Sequence, residues 1–136
     1  MRIVVTDGYA LNPGDLSWGI IERLGELTVY ERTSVDLVVE RCNEADVILT
    51  NKTPVSKGDL EELANTKLIS VLATGYNIVD VKAAKERNII VCNVPAYGTA
   101  SVAQHTFALL LELTNHTGKN AASVSGGDWV RSKDWS

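Results

Sequence analysis

A short turn containing threonine and glycine is the part of the sequence best suited to binding an anion. An apolar run over residues 68–72 ends in Ala73, Thr74 and Gly75, and a helical pattern begins after Asp80. Backbone N–H groups in a tight turn before a helix can form a concave site for a carboxylate or a phosphate. Gly75 lets a ligand approach the backbone because it has no Cβ, and Thr74 adds a hydroxyl. A glycine in such a turn is also ordinary turn chemistry, so the signal is weak by itself.

The composition is that of a globular protein. The chain has 136 residues, of which 45% are apolar and 22% are charged, and this is enough apolar material for a core. The net charge is −4, without a basic stripe, so we expect no nucleic-acid partner. The most apolar stretch, residues 102–113, is too short to cross a bilayer, and no secretion signal is visible; we expect no membrane association and a cytoplasmic location. Cys42 and Cys92 lie far apart without clustered ligands, so no metal site is expected.

Five runs rich in β-forming residues predict five strands. They cover residues 2–6, 26–30, 46–50, 68–72 and 88–92. The runs are continuously apolar rather than alternating, which is typical of strands covered on both faces of a parallel sheet. Helical segments lie between the runs, and this alternation predicts an α/β fold with a doubly wound parallel sheet.

Capping residues mark the ends of the four helices between these strands. Ser34, Ser56 and Asp80 are predicted N-caps, and Gly25 and Asn88 are predicted C-caps. The first two helices are expected to bury apolar stripes formed by Leu16, Ile20, Ile21 and Leu24 and by Val35, Val38, Val39 and Cys42.

A longer helix is predicted from about Thr99 or Ser101 to about Gly118. Its apolar residues nearly encircle it, so we expect a partner subunit or a further domain to cover part of it. Trp129 and Trp135 follow in a tail that has no later element to bury them. These features predict that the chain is the first part of a longer protein.

Doubly wound sheets bind ligands at the carboxyl ends of their strands, near the point where the strand order reverses. The candidate loops are therefore residues 7–9, 51–53, 73–75 and 93–98. The last of these combines proline, glycine and small residues between a strand and the long helix, as a hinge would. Lys52 could hold an anion, although a solvated surface lysine is equally consistent with the sequence.

The segment "LATGYNIVDVKAAKERNIIVCNVPAYGTASVAQHTFALLLEL" makes the chain similar to a known family. It resembles the N-terminal part of the D-isomer-specific 2-hydroxyacid dehydrogenases, in particular the glycerate dehydrogenase (hydroxypyruvate reductase) group. The later segment "GDWVRSKDW" fits the part of these enzymes that precedes their cofactor-binding fold.

The resemblance implies a flavodoxin-like substrate-binding domain over residues 1–100. Residues 101–136 would form a linking helix and the start of a Rossmann domain that binds NAD(H). No G-x-G-x-x-G motif occurs in the 136 residues, so the phosphate-binding turn is expected elsewhere. The family's catalytic Arg, Glu and His also lie in the later half, so we expect no catalytic residue here and no activity from this chain alone. The resemblance further implies a homodimer.

The resemblance assigns roles to residues at the ends of the third and fourth strands. The Thr74–Gly75 turn would give backbone N–H groups to the substrate carboxylate, and Thr74 would also lie beside the nicotinamide. Asn51 and Lys52 would line the mouth of the substrate cleft.

The same resemblance assigns roles to residues around the hinge and the long helix. Gly98 and Thr99 match a hinge position that faces substrate, and Thr106 matches a cofactor contact. His105 and His116 do not match the family's catalytic histidine. His105 is expected to be a packing residue, and His116 a surface residue near a helix C-terminus.

The implied reaction reduces a 2-keto acid such as hydroxypyruvate, with NADH, to a D-2-hydroxy acid such as D-glycerate. One alternative is a non-catalytic NAD-sensing protein, like the related transcriptional corepressors. Another is a stand-alone flavodoxin-like binding module or receiver domain. A receiver needs clustered acids, whereas Asp7 stands alone; a flavodoxin needs a Ser/Thr-rich loop after the first strand, which "DGYALNPGD" does not supply.

Overall fold

The first 95 residues form an α/β unit in a computed structural model that describes residues 1–133. Its parallel sheet has the strand order β2-β1-β3-β4-β5. The strands are β1 (Arg2–Val5), β2 (Glu26–Val29), β3 (Val47–Thr50), β4 (Leu68–Val71) and β5 (Ile90–Asn93). The helices between them are α1 (Gly19–Glu22), α2 (Val38–Cys42), α3 (Lys57–Glu62) and α4 (Val81–Glu86), with short 3-10 turns at Gly8–Ala10 and Val35–Leu37. This architecture confirms the predicted fold class.

Hydrophobic cores cover both faces of the central strands. Val4 and Ile48 belong to the larger core, whereas Ile3, Val5 and Leu49 belong to a second one. Because successive residues of a strand point to opposite faces, these neighbours must lie on opposite sides of the sheet. Burial on both sides explains the apolar sequences of β1 and β3. The edge strands β2 and β5 are instead mostly exposed or half-buried, so the cover predicted for both of their faces is not found within the described residues.

The caps of the third and fourth helices form as predicted. Ser56 and Asp59 make a capping box, in which the Asp59 N–H donates to Ser56 Oγ (3.3 Å) and the Ser56 N–H donates to Asp59 Oδ2 (2.7 Å). Asp80 Oδ1 accepts the N–H of Ala83 at 2.9 Å. Asn88 has φ 58°, the left-handed conformation expected of a C-cap.

The first helix differs from the sequence prediction. Of the four residues in its predicted stripe, Ile21 packs on the second core, whereas Leu16, Ile20 and Leu24 are exposed. Gly25 is not the cap of α1, which ends with Arg23 in the C-cap position. A Cβ on Gly25 would lie 2.2 Å from the Met1 carbonyl oxygen, so close backbone approach explains this glycine.

The second helix also begins differently. Ser34 makes no capping hydrogen bond, and the 3-10 turn precedes α2. Val38 and Cys42 are fully buried as predicted, but Val35 is exposed. The 3-10 turn has a tighter repeat than an α-helix, so a stripe drawn at the α-helical repeat does not extend through it.

The chain from residue 96 onward forms a second compact unit. It contains α5 (Thr99–Asn115), α6 (Thr117–Ser125) and α7 (Asp128–Arg131). The predicted single helix ends early, because His116 adopts φ 51° between α5 and α6. The Glu112 carboxylate holds this junction by accepting bonds from the Thr117 hydroxyl and the Gly118 N–H, each at 2.7 Å, and both lower the pKa of its carboxyl.

The apolar side chains of α5 are exposed, among them Phe107 and Leu113. The cover expected for them from a partner or a further domain stays a prediction, as does the domain boundary at residue 100. Trp129 is exposed, and Trp135 lies outside the described residues. None of the helices in the described part of the chain reaches the length and hydrophobicity that a membrane crossing requires.

Candidate functional site

The turn that follows β4 is an exposed arch whose start is bonded to β3 and whose end is bonded to the segment after the β3 loop. At its start, the Leu72 N–H donates to the Thr50 carbonyl at 2.7 Å. At its end, Val79 forms a parallel bridge with Val55, whose N–H donates to the Ile78 carbonyl at 2.8 Å. Val55 and Val79 are buried, whereas residues 74–77 are exposed. The arch is therefore held in a defined place while its crest faces solvent.

Asn93 and Val94, at the C-terminal end of β5, bond to the oxygen atoms of Thr74. The Thr74 hydroxyl donates to the Val94 carbonyl (3.2 Å), and the Asn93 side-chain amide donates to the Thr74 carbonyl (2.8 Å). By contrast, no acceptor within residues 1–133 receives the backbone N–H groups of Thr74, Gly75 or Tyr76. Three successive main-chain donors thus remain without a protein acceptor after β4, and an anion-binding turn requires unoccupied donors of this kind.

Neither backbone conformation nor packing within the first 133 residues explains the glycine at position 75. Gly75 is absent from the positive-φ glycines of the chain. An added Cβ would have only Asn77 Oδ1 within 4 Å, at 3.4 Å, which is an ordinary contact. The fold of these residues does not itself require a glycine at this position. The absence of a side chain is consistent with close approach of a ligand to the backbone.

The loop after β3 carries the predicted residues Asn51 and Lys52 and is fixed by an acid. The Asp7 carboxylate, at the end of β1, accepts the backbone N–H groups of Asn51 (2.9 and 3.0 Å to its two oxygens), Lys52 and Thr53 (3.1 Å). Asp7 and Thr53 are both buried, and the side chain of Lys52 is exposed. The sheet order places this loop beside the β4 arch, because β3 and β4 are neighbours.

The sequence had shown Asp7 only as an isolated acid. Its signal was its position directly after a buried strand, where a carboxylate must find hydrogen-bond donors. Asn93, which holds Thr74, lay in a candidate loop but was not singled out.

A depression of about 350 Å³ lies at the carboxyl ends of β1 and β3, and Asp7, Arg32 and Lys52 are among its lining residues. In the described chain neither Arg32 nor Lys52 forms a side-chain ion pair. A larger depression, of about 620 Å³, lies at the opposite edge of the sheet. Its Lys67 ammonium already pairs with Asp46 at 3.0 Å. Two unpaired cations and the free amides of the turn after β4 therefore lie at the edge where the sheet's topology places ligands, although Arg87, also unpaired among residues 1–133, lines the opposite depression.

The other predicted site residues lie in the second unit. Gly98 is the N-cap of α5, and its carbonyl accepts the N–H of Val102 at 2.9 Å. The Thr99 hydroxyl donates to the Ala96 carbonyl at 3.3 Å, and the Thr106 hydroxyl donates to the Val102 carbonyl at 2.9 Å. Each hydroxyl donates its proton to a backbone carbonyl, and its oxygen can still accept a hydrogen bond. The roles of Gly98, Thr99 and Thr106 stay predictions.

Two bacterial dehydrogenases match most of the chain in sequence. A hydroxypyruvate reductase from Blautia hydrogenotrophica is 51% identical over 138 residues, which is 99% of this chain and 43% of that protein. A glycerate dehydrogenase from Methylorubrum extorquens is 37% identical over 111 residues, which is 81% of this chain and 35% of that protein. The chain therefore spans less than half the length of these relatives.

Solved structures show the same fold. An acyclic imino acid reductase, solved with NADPH and D-Arg, superposes with a TM-score of 0.77 at 26% identity, over 93% of this chain and 41% of that one. The TT0316 protein of Thermus thermophilus gives a TM-score of 0.71 at 27% identity, over 100% and 43%. The family model described as D-isomer specific 2-hydroxyacid dehydrogenase, catalytic domain, matches residues 3–127. The chain belongs to the D-isomer-specific 2-hydroxyacid dehydrogenase family.

Proposed function

We propose that this chain is the substrate-recognition part of an NAD-dependent oxidoreductase that reduces 2-keto acids such as hydroxypyruvate to D-2-hydroxy acids such as D-glycerate. The observation that carries the proposal is the set of free amides of Thr74, Gly75 and Tyr76, in a chain 51% identical to a hydroxypyruvate reductase. Every 2-keto acid has a carboxylate next to the carbon that is reduced. Binding this carboxylate would fix the position of the reacting carbon.

The free amides suit a carboxylate because N–H donors bind an ionised oxygen more strongly than a neutral one. The Thr74 hydroxyl and carbonyl are already held by residues 93–94, so the turn would not need to reorganise when the ligand arrives. Lys52, on the neighbouring loop, would add a positive charge in a chain whose net charge is −4. Local positive charge raises the concentration of an anionic substrate near the site.

The cofactor proposed is NAD, whose reduced form, NADH, would supply the hydride when bound. Thr74 and Thr106 are the residues proposed to contact it, each through a hydroxyl oxygen that can still accept a hydrogen bond. The contribution of this chain would be orientation of the substrate, which can lower a reaction barrier by several kcal/mol. The proton donor and the catalytic Arg and Glu that the resemblance implies have no counterpart among these 136 residues. We therefore expect the chain alone to be inactive.

Domain movement and assembly complete the proposal. Gly98 and Thr99 would form part of a hinge that brings the substrate-binding and cofactor-binding domains together and excludes water. The exposed apolar residues of α5, including Phe107 and Leu113, would be covered in a homodimer or by the cofactor-binding domain.

The structure disfavours a flavodoxin-like binding module. In flavodoxin-like sheets the flavin phosphate site lies at the switch point between β1 and β3. Here the amides at that point are occupied by the Asp7 carboxylate, so they are not available to a phosphate.

The test joins residues 1–136 to the remaining sequence of the Blautia hydroxypyruvate reductase and measures NADH oxidation with hydroxypyruvate, glyoxylate and pyruvate. We refer to this fusion protein as the chimera. We expect turnover of hydroxypyruvate to D-glycerate, and none from the 136-residue chain alone. A folded chimera that binds NADH but reduces none of the three acids would refute the proposal.

Binding can also be followed on the 136-residue chain itself by amide NMR. Added hydroxypyruvate or D-glycerate should shift the signals of Thr74, Gly75 and Tyr76 more than those of exposed amides at the opposite edge of the sheet. Equal shifts at both edges would indicate a nonspecific effect of ionic strength and would count against the site.

A further inference from the structure

The Asp7 carboxylate gathers three consecutive backbone amides from a loop 44 to 46 residues further along the chain. One carboxylate oxygen, Oδ2, accepts from the N–H groups of Asn51, Lys52 and Thr53. The other oxygen, Oδ1, also accepts from the Asn51 N–H. An ionised oxygen shared among backbone donors is a strong, charge-assisted arrangement. Three amides of the loop after β3 are therefore bonded to a single side chain, that of Asp7, which follows β1.

The position of Asp7 is itself fixed by the sheet and the turn after it. The Thr6 N–H donates to the Leu49 carbonyl at 3.0 Å, and the Gly8 N–H donates to the Tyr30 carbonyl at 2.8 Å. Asp7 is 4% exposed, so its negative charge is compensated by the amides of residues 51–53 rather than by water. A buried charge with several donors resists displacement, because any movement of the loop would leave it unpaired.

The loop is also held from its other side. The Thr50 hydroxyl donates to the Thr53 carbonyl at 2.9 Å, and Thr53 is buried. Lys52 therefore has a fixed backbone, an exposed side chain and no ion pair among residues 1–133. A lysine ammonium is mobile on its four-carbon stem, so its average position depends on where the backbone is held.

We infer that Asp7 is a positioning residue, which fixes the 51–53 backbone and so holds the Lys52 ammonium at the edge of the sheet where an anionic substrate would bind. The inference rests on the proposed function for its consequence in substrate binding. Its structural part, that the Asp7 carboxylate holds the amides of residues 51–53, is independent of that function.

The structural part is tested by hydrogen exchange on the 136-residue chain. We expect slow exchange of the amide protons of residues 51–53. Exchange should accelerate by at least about tenfold in Asp7→Asn, because an NH2 group, which cannot accept a hydrogen bond, replaces one carboxylate oxygen. Asp7→Ala should accelerate them further. The matched control is Asp15→Asn, an exposed acid, which should leave these protons unchanged. Unchanged exchange at residues 51–53 in both Asp7 variants would overturn the inference.

The functional part is tested by a double-mutant cycle in the chimera. Asp7→Asn should raise the KM for hydroxypyruvate about tenfold with a smaller change in kcat, and should have no further effect on KM in the Lys52→Met background. The same factor in both backgrounds would show that Asp7 acts without Lys52 and would overturn the inference. If the unsubstituted chimera reduces no 2-keto acid, the proposed function fails, and the exchange experiment alone decides what Asp7 does.

Discussion

The substitution Gly75→Val should weaken 2-keto acid binding strongly while leaving the fold intact. Gly75 is exposed and does not have a left-handed φ, and its added Cβ would approach only Asn77 Oδ1, at 3.4 Å. A side chain at such a position changes the free energy of unfolding by about 1 kcal/mol or less. The protein should therefore unfold at nearly the same temperature as before.

The expected loss of affinity follows from the free amides around Gly75. Each hydrogen bond from an N–H group to a charged acceptor contributes about 1.5–3 kcal/mol. The valine methyl groups would occupy the space beside these amides and would obstruct one or two such bonds, which at about 2 kcal/mol each is a loss of about 2–4 kcal/mol. That corresponds to a rise in KM of roughly 30-fold to 700-fold, since 1.4 kcal/mol is about a factor of ten. Gly75→Ala should show a smaller rise in the same direction.

Two other glycines provide matched controls. A Cβ on Gly25 would lie 2.2 Å from the Met1 carbonyl oxygen, so Gly25→Ala should lower the free energy of unfolding by about 1–3 kcal/mol. Gly25 precedes β2, at the sheet edge opposite the β4 arch, so the KM for hydroxypyruvate should not change. Gly58→Ala, in α3, meets only Ser56 Oγ at 3.8 Å and should stabilise the chain by about 0.4–1 kcal/mol.

The assay measures steady-state NADH oxidation by the chimera and thermal unfolding of the same variants. The decisive result is the contrast between Gly75→Val, which should lose affinity without losing stability, and Gly25→Ala, which should do the reverse. A KM for Gly75→Val within threefold of the unsubstituted value, in a normally folded protein, would refute the assignment of the carboxylate to this turn.

Three further predictions concern other elements. Thr106→Leu in the chimera should raise the KM for NADH more than that for hydroxypyruvate, whereas Thr114→Leu, which loses the same kind of helical hydrogen bond, should change neither; the opposite order would exclude Thr106 as a cofactor contact. Cys92 should react with a thiol reagent in the folded chain and Cys42 only after unfolding, because burial raises the pKa of the Cys42 thiol from 9.0 to about 11. The stabilisation linked to this shift should be complete below about pH 9 and decline as the pH rises toward 11, which denaturant titrations would detect against Cys42→Ala. Ser56→Ala should lower the free energy of unfolding by about 1 kcal/mol through loss of the capping box, as measured by urea titration.

The sequence predicted the sheet well because local patterns determine strands and caps. The centre of the third strand, residues 47–49, is continuously apolar, and the helix caps Ser56 and Asp80 bond to amides only three residues away. The first helix was harder to predict because its apolar residues Leu16, Ile20 and Leu24 lie on the surface of the chain. Amphipathic spacing indicates which residues share a helix face, but it does not indicate whether that face is covered.

The site was predictable in part for a related reason. The free amides of the β4 arch are a property of one local turn, so Thr74 and Gly75 could be selected from the sequence. The role of Asp7 depends on partners 44 or more residues away, and these meet only because β1 and β3 are neighbours in the sheet. Local pattern carries no information about such pairs until the strand order is known.

The neighbouring tips of β3 and β4 present backbone donors in two different environments. At β3, Thr53 is buried, and a buried N–H without an acceptor would cost about 1–3 kcal/mol, which the bond to the Asp7 carboxylate avoids. At β4, Thr74 and Gly75 are exposed, and water can solvate their amides until an anion replaces it. The amides after β3 are occupied by Asp7 and those after β4 are free in the described chain, so a substrate carboxylate could bind only at the turn after β4. The filled site would meanwhile hold Lys52 within reach of the incoming charge, so that Asp7 would exclude an anion from the loop after β3 and help to direct it to the turn after β4.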